Sequence, residues 1–140
     1  LLRQFSELRV AIEPEAAALA ARCGTAADHA GISAGLARMV AAERGDDDPL
    51  EADIAFHVAV LAASGNPFYR QFHDMVGTAL RTSIRMTNRI KGRSASVEQH
   101  SAVHDAILAR DTEGARAAMH RIIADVLSLI DSVEAMPPAG

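Results

Sequence analysis

Residues 53–66 place polar side chains in the middle of an otherwise apolar helix face. Drawn at about 100° per residue, the segment has one continuous apolar arc made of Ile54, Phe56, Val58, Val60 and Leu61. Asp53, His57 and Ser64 lie within that arc. A buried carboxylate or imidazole without a partner loses several kcal/mol of hydration. The fold must therefore place another element opposite these groups.

Asp53 and His57 are four residues apart, so they share one face of a helix. From that position both side chains can reach a single ion or ligand between helices. The same spacing also fits a buried Asp–His hydrogen bond that only holds the core in register. The pair alone leaves both interpretations open.

The composition favours helices over sheets. The chain has 140 residues, enough for one domain with its own core, and 49% of them are hydrophobic but only 4% aromatic. Helical periodicity and start and stop signals predict an all-α fold, an antiparallel bundle of about six helices. Pro14 is expected to bend or divide the first helix, and Phe68 to point inward from the fourth. The predicted helices cover residues 2–22, 25–44, 48–64, 67 to at least 87, 96–110 and 112–134.

Charge and cysteine content exclude several classes of protein. With 14 basic and 18 acidic residues the net charge is −4, so nucleic acid is not expected as a direct partner. The single cysteine, Cys23, allows no internal disulfide and fits a cytoplasmic location.

No apolar run approaches the roughly 20 residues of a membrane span, so no membrane partner is expected. The sequence begins without Met and is expected to be a piece of a longer chain.

The fifth predicted helix repeats the arrangement of the third. His100 and His104 fall within its apolar arc, so two helices direct imidazoles inward. With Asp53 and His57 they make a set of oxygen and nitrogen ligands of the kind that holds Zn²⁺, Ni²⁺ or Mn²⁺ with positions open for a carboxylate. The residues alone fit a metal site and a hydrogen-bonded polar pocket equally well.

Two further polar residues lie on core faces. Arg9 falls within the apolar arc of the first helix, where it either pairs with a core carboxylate or binds a carboxylate or phosphate ligand. Ser83 continues the inward face of the fourth helix, where it either lines a polar cavity or bonds back to its own helix.

Six motifs, taken in order and spacing, resemble one family. The motifs are Arg9-x-x-Ile-Glu13-Pro, Asp53-x-x-Phe-His57, Ser64-Gly-Asn66, Gln99-His100, Asp105-Ala-Ile-x-x-x-Asp111 and Ala115-x-x-x-Met119. Together they resemble the ligand-binding FCD domain of FadR-type GntR transcription regulators, and the count of about six helices resembles its VanR-like subgroup.

The resemblance implies a function for the whole of residues 1–140. It implies a single all-helical domain, not an enzyme, that binds a small carboxylate or sugar-acid effector and forms a homodimer. In the family this domain follows a winged helix-turn-helix domain, through which alone operator DNA would be bound. That DNA-binding domain is absent from residues 1–140, and effector binding would modulate it.

The resemblance also implies site residues. Family metal ligands fall on Asp53, His57 and His100, while the fourth, three residues after Met119, falls on Ile122. His104, one turn from His100, is the candidate to complete a Zn²⁺ or Ni²⁺ site. Arg9 matches a family position that can contact an acidic effector. The predicted effector-binding set is Arg9, Asp53, His57, Ser83, His100 and His104.

Two other functions compete with the sensor. An all-helical metal-dependent hydrolase would use Asp53, His57 and His100 for turnover. His73-Asp74 and His104-Asp105 match the His-Asp doublet of metal phosphohydrolases, but both aspartates fall outside the apolar arcs. A pure dimerisation bundle would use the inward polar groups only for stability.

Overall fold

The computed structural model describes residues 2–91 and 96–135, with the backbone alone for residues 83–91. Within these ranges the chain forms helices and turns and no strand, which confirms the predicted all-α bundle. Six helices have twelve residues or more, and α4 is a single turn. The helices are α1 (Leu2–Cys23), α2 (Ala26–Glu43), α3 (Pro49–Ala63), α4 (Pro67–Arg70), α5 (His73–Lys91), α6 (Val97–Leu108) and α7 (Thr112–Glu134).

The starts of α2 and α3 follow from local capping chemistry. Thr25 and Asp28 form a reciprocal capping box, in which each side chain accepts a hydrogen bond from the other residue's backbone N–H. The carboxylate of Asp48 accepts from the N–H groups of Leu50 and Glu51 at 2.9 and 3.1 Å. Pro49 follows as the first helical residue, where it lacks only an N–H that would be unpaired anyway.

Division of the first helix at Pro14 and an unbroken fourth helix are the two expectations about helix continuity that the structure contradicts. Pro14 lies inside α1, but α1 remains one helix and is not divided. The predicted fourth helix is instead broken after Arg70 and restarts as α5 at His73. Because that break resets the helical phase, Phe68 does not share the inward face of α5 and is 72% exposed.

Small residues let the helices that carry the site approach closely. α1 packs mainly against α7 and also contacts α3, with Ala16, Ala17, Ala20 and Ala21 fully buried. Where α2 crosses α3, a Cβ placed on Gly35 would lie 2.9 Å from the Cα of Phe56. The two backbones therefore touch beside the residue that precedes His57.

Among the described residues, no helix is both long and apolar enough to cross a membrane.

Candidate metal and effector site

Three buried side chains from α3 and α6 converge on one point. Asp53 Oδ1 lies 3.2 Å from His57 Nε2 and 3.0 Å from His100 Nε2. The two Nε2 atoms are 3.1 Å apart. Asp53, His57 and His100 thus form a triangle of ligand atoms, hereafter the triad, at which a metal ion can be held.

Hydrogen bonds on the far side of each ring orient the imidazoles of the triad. His57 Nδ1–H donates to Glu13 Oε1 on α1, and His100 Nδ1–H donates to the backbone carbonyl of Ser96 at 2.7 Å. A ring that donates from Nδ1 presents its Nε2 lone pair in the neutral state. Both histidines therefore direct Nε2 at Asp53, and the acceptors on Glu13 and Ser96 hold the rings as such partners hold metal-bound histidines.

The dimensions of the triad fit a divalent transition ion. With neutral rings, two lone pairs and a carboxylate oxygen face one another at hydrogen-bond distance, an arrangement that needs a cation or a proton between them. Ligand bonds of about 2.0–2.2 Å give ligand–ligand separations of roughly 2.8–3.1 Å in octahedral geometry and roughly 3.3–3.6 Å in tetrahedral geometry. The observed edges of 3.0–3.2 Å are of that size.

The electrostatics of the triad favour a positive charge at its centre. Burial alone would lower the pKa of His57, but the charge of Glu13 and the hydrogen bonds to Asp53 and Glu13 outweigh it and raise the pKa to about 9. Burial likewise opposes ionisation of Asp53, yet its contacts with the imidazoles of His100 and His57 hold its pKa below the usual range. Without a metal, a proton on His57 supplies the positive charge.

Glu13 extends the polar cluster from the triad to Arg9. The Nε–H of Arg9 donates to Glu13 Oε2 at 2.5 Å, while the other carboxylate oxygen accepts from His57. Burial would raise the pKa of Glu13, but the charges of Arg9 and His57 lower it to about 2. One buried carboxylate therefore holds the guanidinium and an imidazole at the same time.

Three buried polar atoms at this end of the cluster are unpartnered. Arg9 Nη1, Arg9 Nη2 and Ser6 Oγ are enclosed and have no hydrogen-bond partner among the residues that the structure describes. The guanidinium therefore offers its two terminal nitrogens, the pair that binds a carboxylate in bidentate fashion. The arrangement can hold an anion beside the triad.

The predicted site residues divide into two groups. Arg9, Asp53, His57 and His100 are buried in one connected cluster. His104 lies apart from the triad, with its Nε2 2.8 Å from Ser33 Oγ and its Nδ1 2.9 Å from Asp105 Oδ1.

Three more positions complete the comparison with the sequence. The side chain of Ser83 falls outside the described part of the chain. Ile122, where the family pattern places a fourth ligand, is a buried core residue. Glu13 was missed as a site residue, although an inward Arg9 predicts a core carboxylate and Glu13 lies one turn along the same helix.

Comparison with known families agrees with this architecture. The family model for the FCD domain matches residues 4–125. The chain belongs to the FCD domain family. This membership supports an effector-binding regulatory domain and gives no support to the hydrolase alternative. The VanR-like subgroup stays a prediction.

The relatives of this FCD domain are longer regulators. The galactonate operon transcriptional repressor of Escherichia coli (strain K12) is 31% identical over 126 residues, covering 89% of this chain and 55% of that protein. The HTH-type transcriptional regulator LutR of Bacillus subtilis (strain 168) is 32% identical over 124 residues, covering 84% and 57%. The chain spans about half the length of the curated relatives it matches.

A solved structure shares the fold. Streptococcus agalactiae GntR superposes with a TM-score of 0.74 at 22% sequence identity, covering 91% of this chain and 58% of the other. At this identity the likeness shows the all-helical fold alone.

Proposed function

We propose that this FCD domain senses a small organic acid, held by Arg9 and by a divalent metal ion on Asp53, His57 and His100. The observation that carries the proposal is the buried Arg9 guanidinium, whose two terminal nitrogens have no partner among the described residues and which is joined through Glu13 to the triad. Buried donors need acceptors, and a second carboxylate matches the geometry of the two terminal nitrogens.

The charge of the cluster supports an anionic ligand that depends on metal. Arg9 and a divalent ion together bring three positive charges, against two negative charges from Glu13 and Asp53. The metal-loaded cluster then has one excess positive charge, which a carboxylate neutralises. Without metal, the positive charges of Arg9 and protonated His57 balance the negative charges of Glu13 and Asp53, so the net charge is zero. Metal binding is therefore expected to create the affinity for the acid.

The ligand set favours Zn²⁺ or Ni²⁺. Two imidazole nitrogens and one carboxylate oxygen suit these ions, and three protein ligands leave coordination positions open. When bound, the ion would supply Lewis acidity that attracts a carboxylate oxygen of the effector. Ile122 keeps an imidazole from the position of the family's fourth ligand, which leaves more of the coordination sphere to the effector.

Glu13 has a positioning role in this proposal. It fixes the ring of His57 so that Nε2 faces the triad, and it fixes the guanidinium of Arg9 beside it. Carboxylates that orient a metal-bound histidine typically contribute a factor of roughly 10–100 to metal affinity. Glu13 also gives the effector contact at Arg9 a direct physical link to the metal ligands.

At the level of the full regulator, we propose that residues 1–140 are one effector-binding and homodimerisation domain of a cytoplasmic transcription factor. The relatives support this role, since they include an operon repressor and a helix-turn-helix regulator. Operator DNA would be bound by a domain outside this sequence. Effector binding would change the relative placement of the two DNA-binding domains in the dimer.

The test is a calorimetric titration of organic acids into the zinc-loaded and the metal-free domain. D-galactonate is the first probe, because one relative is named for a galactonate operon. L-malate and L-lactate extend the panel to smaller acids. We expect saturable binding to the loaded domain, at least tenfold weaker binding to the metal-free domain, and loss of binding in Arg9→Met. Equal affinity with and without metal would refute the metal-dependent site.

A further inference from the structure

Ser6 is a buried helical serine whose hydroxyl does not bond to its own helix. A serine or threonine inside a helix commonly donates to the carbonyl one turn earlier. Thr78, Thr82 and Ser132 do so in this chain, at 3.0, 2.9 and 3.1 Å. These three residues are exposed, whereas Ser6 is fully buried and its Oγ has no hydrogen-bond partner within residues 2–91 and 96–135.

Ser6 and Arg9 occupy neighbouring positions on α1, and both have polar atoms without a partner among the described residues. Ser6 and Arg9 are three residues apart on α1, so they are neighbours on one helix face, with Cβ atoms roughly 5–6 Å apart. Both side chains are buried, and neither Ser6 Oγ nor the two terminal nitrogens of Arg9 has a described partner. Buried polar groups are nearly always hydrogen-bonded, so two such neighbours indicate a shared missing partner.

The chemistry of the two side chains differs, which constrains that partner. The guanidinium only donates and carries a charge, so it matches a carboxylate. The serine hydroxyl is uncharged and can both donate and accept, so it matches another hydroxyl. A ligand that satisfies both carries a carboxylate and a nearby hydroxyl on one carbon skeleton.

We propose that Ser6 is a specificity-determining residue that hydrogen-bonds a hydroxyl group of the effector, and that the effector is a hydroxy acid. The inference rests on the proposed function, in which Arg9 holds the carboxylate. It adds a second contact, one helical turn from Arg9, that distinguishes hydroxy acids from simple carboxylic acids of the same length.

The experiment compares acids that differ only in their hydroxyl groups. The zinc-loaded domain is titrated with L-lactate against propionate, L-malate against succinate, and D-galactonate against hexanoate. The wild type is expected to bind at least one hydroxy acid roughly tenfold or more tightly than its matched acid, because a site that loses a hydrogen bond leaves its own polar group unpaired. Ser6→Ala is expected to abolish that preference without changing affinity for the unhydroxylated acid.

Two controls separate recognition from a structural role. Ser132→Ala, which removes an exposed hydroxyl bonded within α7, is expected to leave all affinities unchanged. Ser6→Ala is expected to keep or raise the melting temperature of the ligand-free domain, because it removes a buried hydroxyl that has no partner among the described residues. A clear fall in that temperature would show that the hydroxyl is bonded within the protein and would overturn the proposal.

The binding outcomes also separate this inference from the proposed function. Acids that bind through Arg9 with no preference for hydroxyls, or with a preference that Ser6→Ala retains, overturn the role of Ser6 alone. If Ser6→Ala weakens the binding of both acids of a pair by the same factor, the role of Ser6 is likewise overturned. If none of the six acids binds the loaded wild type, both the hydroxy-acid effector and the proposed carboxylate site are contradicted.

Discussion

Glu13 on α1 accepts a hydrogen bond from Nδ1–H of His57 on α3, and its second oxygen accepts from Nε–H of Arg9. All three side chains are buried. The contact joins a candidate metal ligand to a candidate effector anchor through one carboxylate. A substitution at Glu13 is therefore expected to change both the metal ligand His57 and the effector anchor Arg9.

Glu13→Gln is expected to weaken zinc binding roughly 10–100-fold, because the amide keeps the shape but lacks the charge that orients and polarises His57. Titration against a chromophoric chelator measures this affinity. Glu15→Gln is the matched control, since Glu15 is an exposed residue of α1 that pairs with Arg116. Zinc affinity equal to that of the wild type in Glu13→Gln would contradict the positioning role.

Arg9→Met is expected to abolish binding of organic acids while leaving zinc bound at the triad. The substitution keeps much of the apolar stem but removes every donor of the guanidinium. Arg9→Lys should also bind poorly, because an ammonium group cannot form the bidentate pair. Calorimetric titration checks the loss of acid binding, and metal analysis of the same samples checks that zinc is retained. Loss of metal together with acid binding in both variants would argue for general collapse of the site.

The stability of the metal-free domain should depend on pH in two windows. The folded pKa of Glu13 is lowered from 4.5 to about 2, so its contribution is present above pH 4.5 and lost as the pH falls toward 2. The folded pKa of His57 is raised from 6.5 to about 9, so its contribution is present below pH 6.5 and lost as the pH rises through 9. Urea denaturation from pH 3 to 10 measures the free energy of unfolding across both windows. A free energy that stays constant between pH 6.5 and 9 would refute the contribution of His57.

Zinc binding should release a proton in the upper window. The ion replaces the proton that His57 holds in the metal-free domain, and metal ligands must be deprotonated to bind. Calorimetric titration of zinc at pH 8 in two buffers with different ionisation enthalpies counts the protons released. Close to one proton is expected from wild-type protein, and none would contradict the assignment of the positive charge to His57.

Gly35→Ala is expected to destabilise the domain by roughly 1–3 kcal/mol, because the added methyl group meets the backbone of Phe56 and must separate α2 from α3. Gly31→Ala on the same helix is the matched control, since its Cβ would meet nothing within 4 Å. That variant should gain up to about 1 kcal/mol from helix propensity. Urea denaturation of both variants measures the difference, and equal effects would refute the close approach at Gly35.

Local features of the fold were predictable from the sequence because their causes are local. The cap residues Thr25 and Asp48 determine helix starts through contacts within four residues. Helical periodicity likewise placed Asp53, His57 and His100 on core faces, where the structure has them. The break between α4 and α5 was missed, since the pattern of Phe72 and Met75 extends smoothly back to Phe68 in sequence but not in space.

Partners across helices were harder to predict. His100 and His104 share one face of α6, yet one meets Asp53 and the other meets Ser33. Which turn of a helix faces which neighbour depends on the crossing of three helices, and periodicity carries no information about that crossing. The same reason explains why Glu13 was not recognised as the partner of His57, whereas its contact with Arg9 lies within one turn of α1.

The most direct test of the central claim is the metal content of the purified domain, measured by mass spectrometry after reconstitution with Zn²⁺ or Ni²⁺. We predict close to one equivalent in the wild type, loss in His57→Ala and His100→Ala, and retention in His104→Ala, whose ring bonds Ser33 and Asp105. Absence of metal from the wild type, or equal metal in wild type and His57→Ala, would contradict a metal-dependent sensor built on Asp53, His57 and His100.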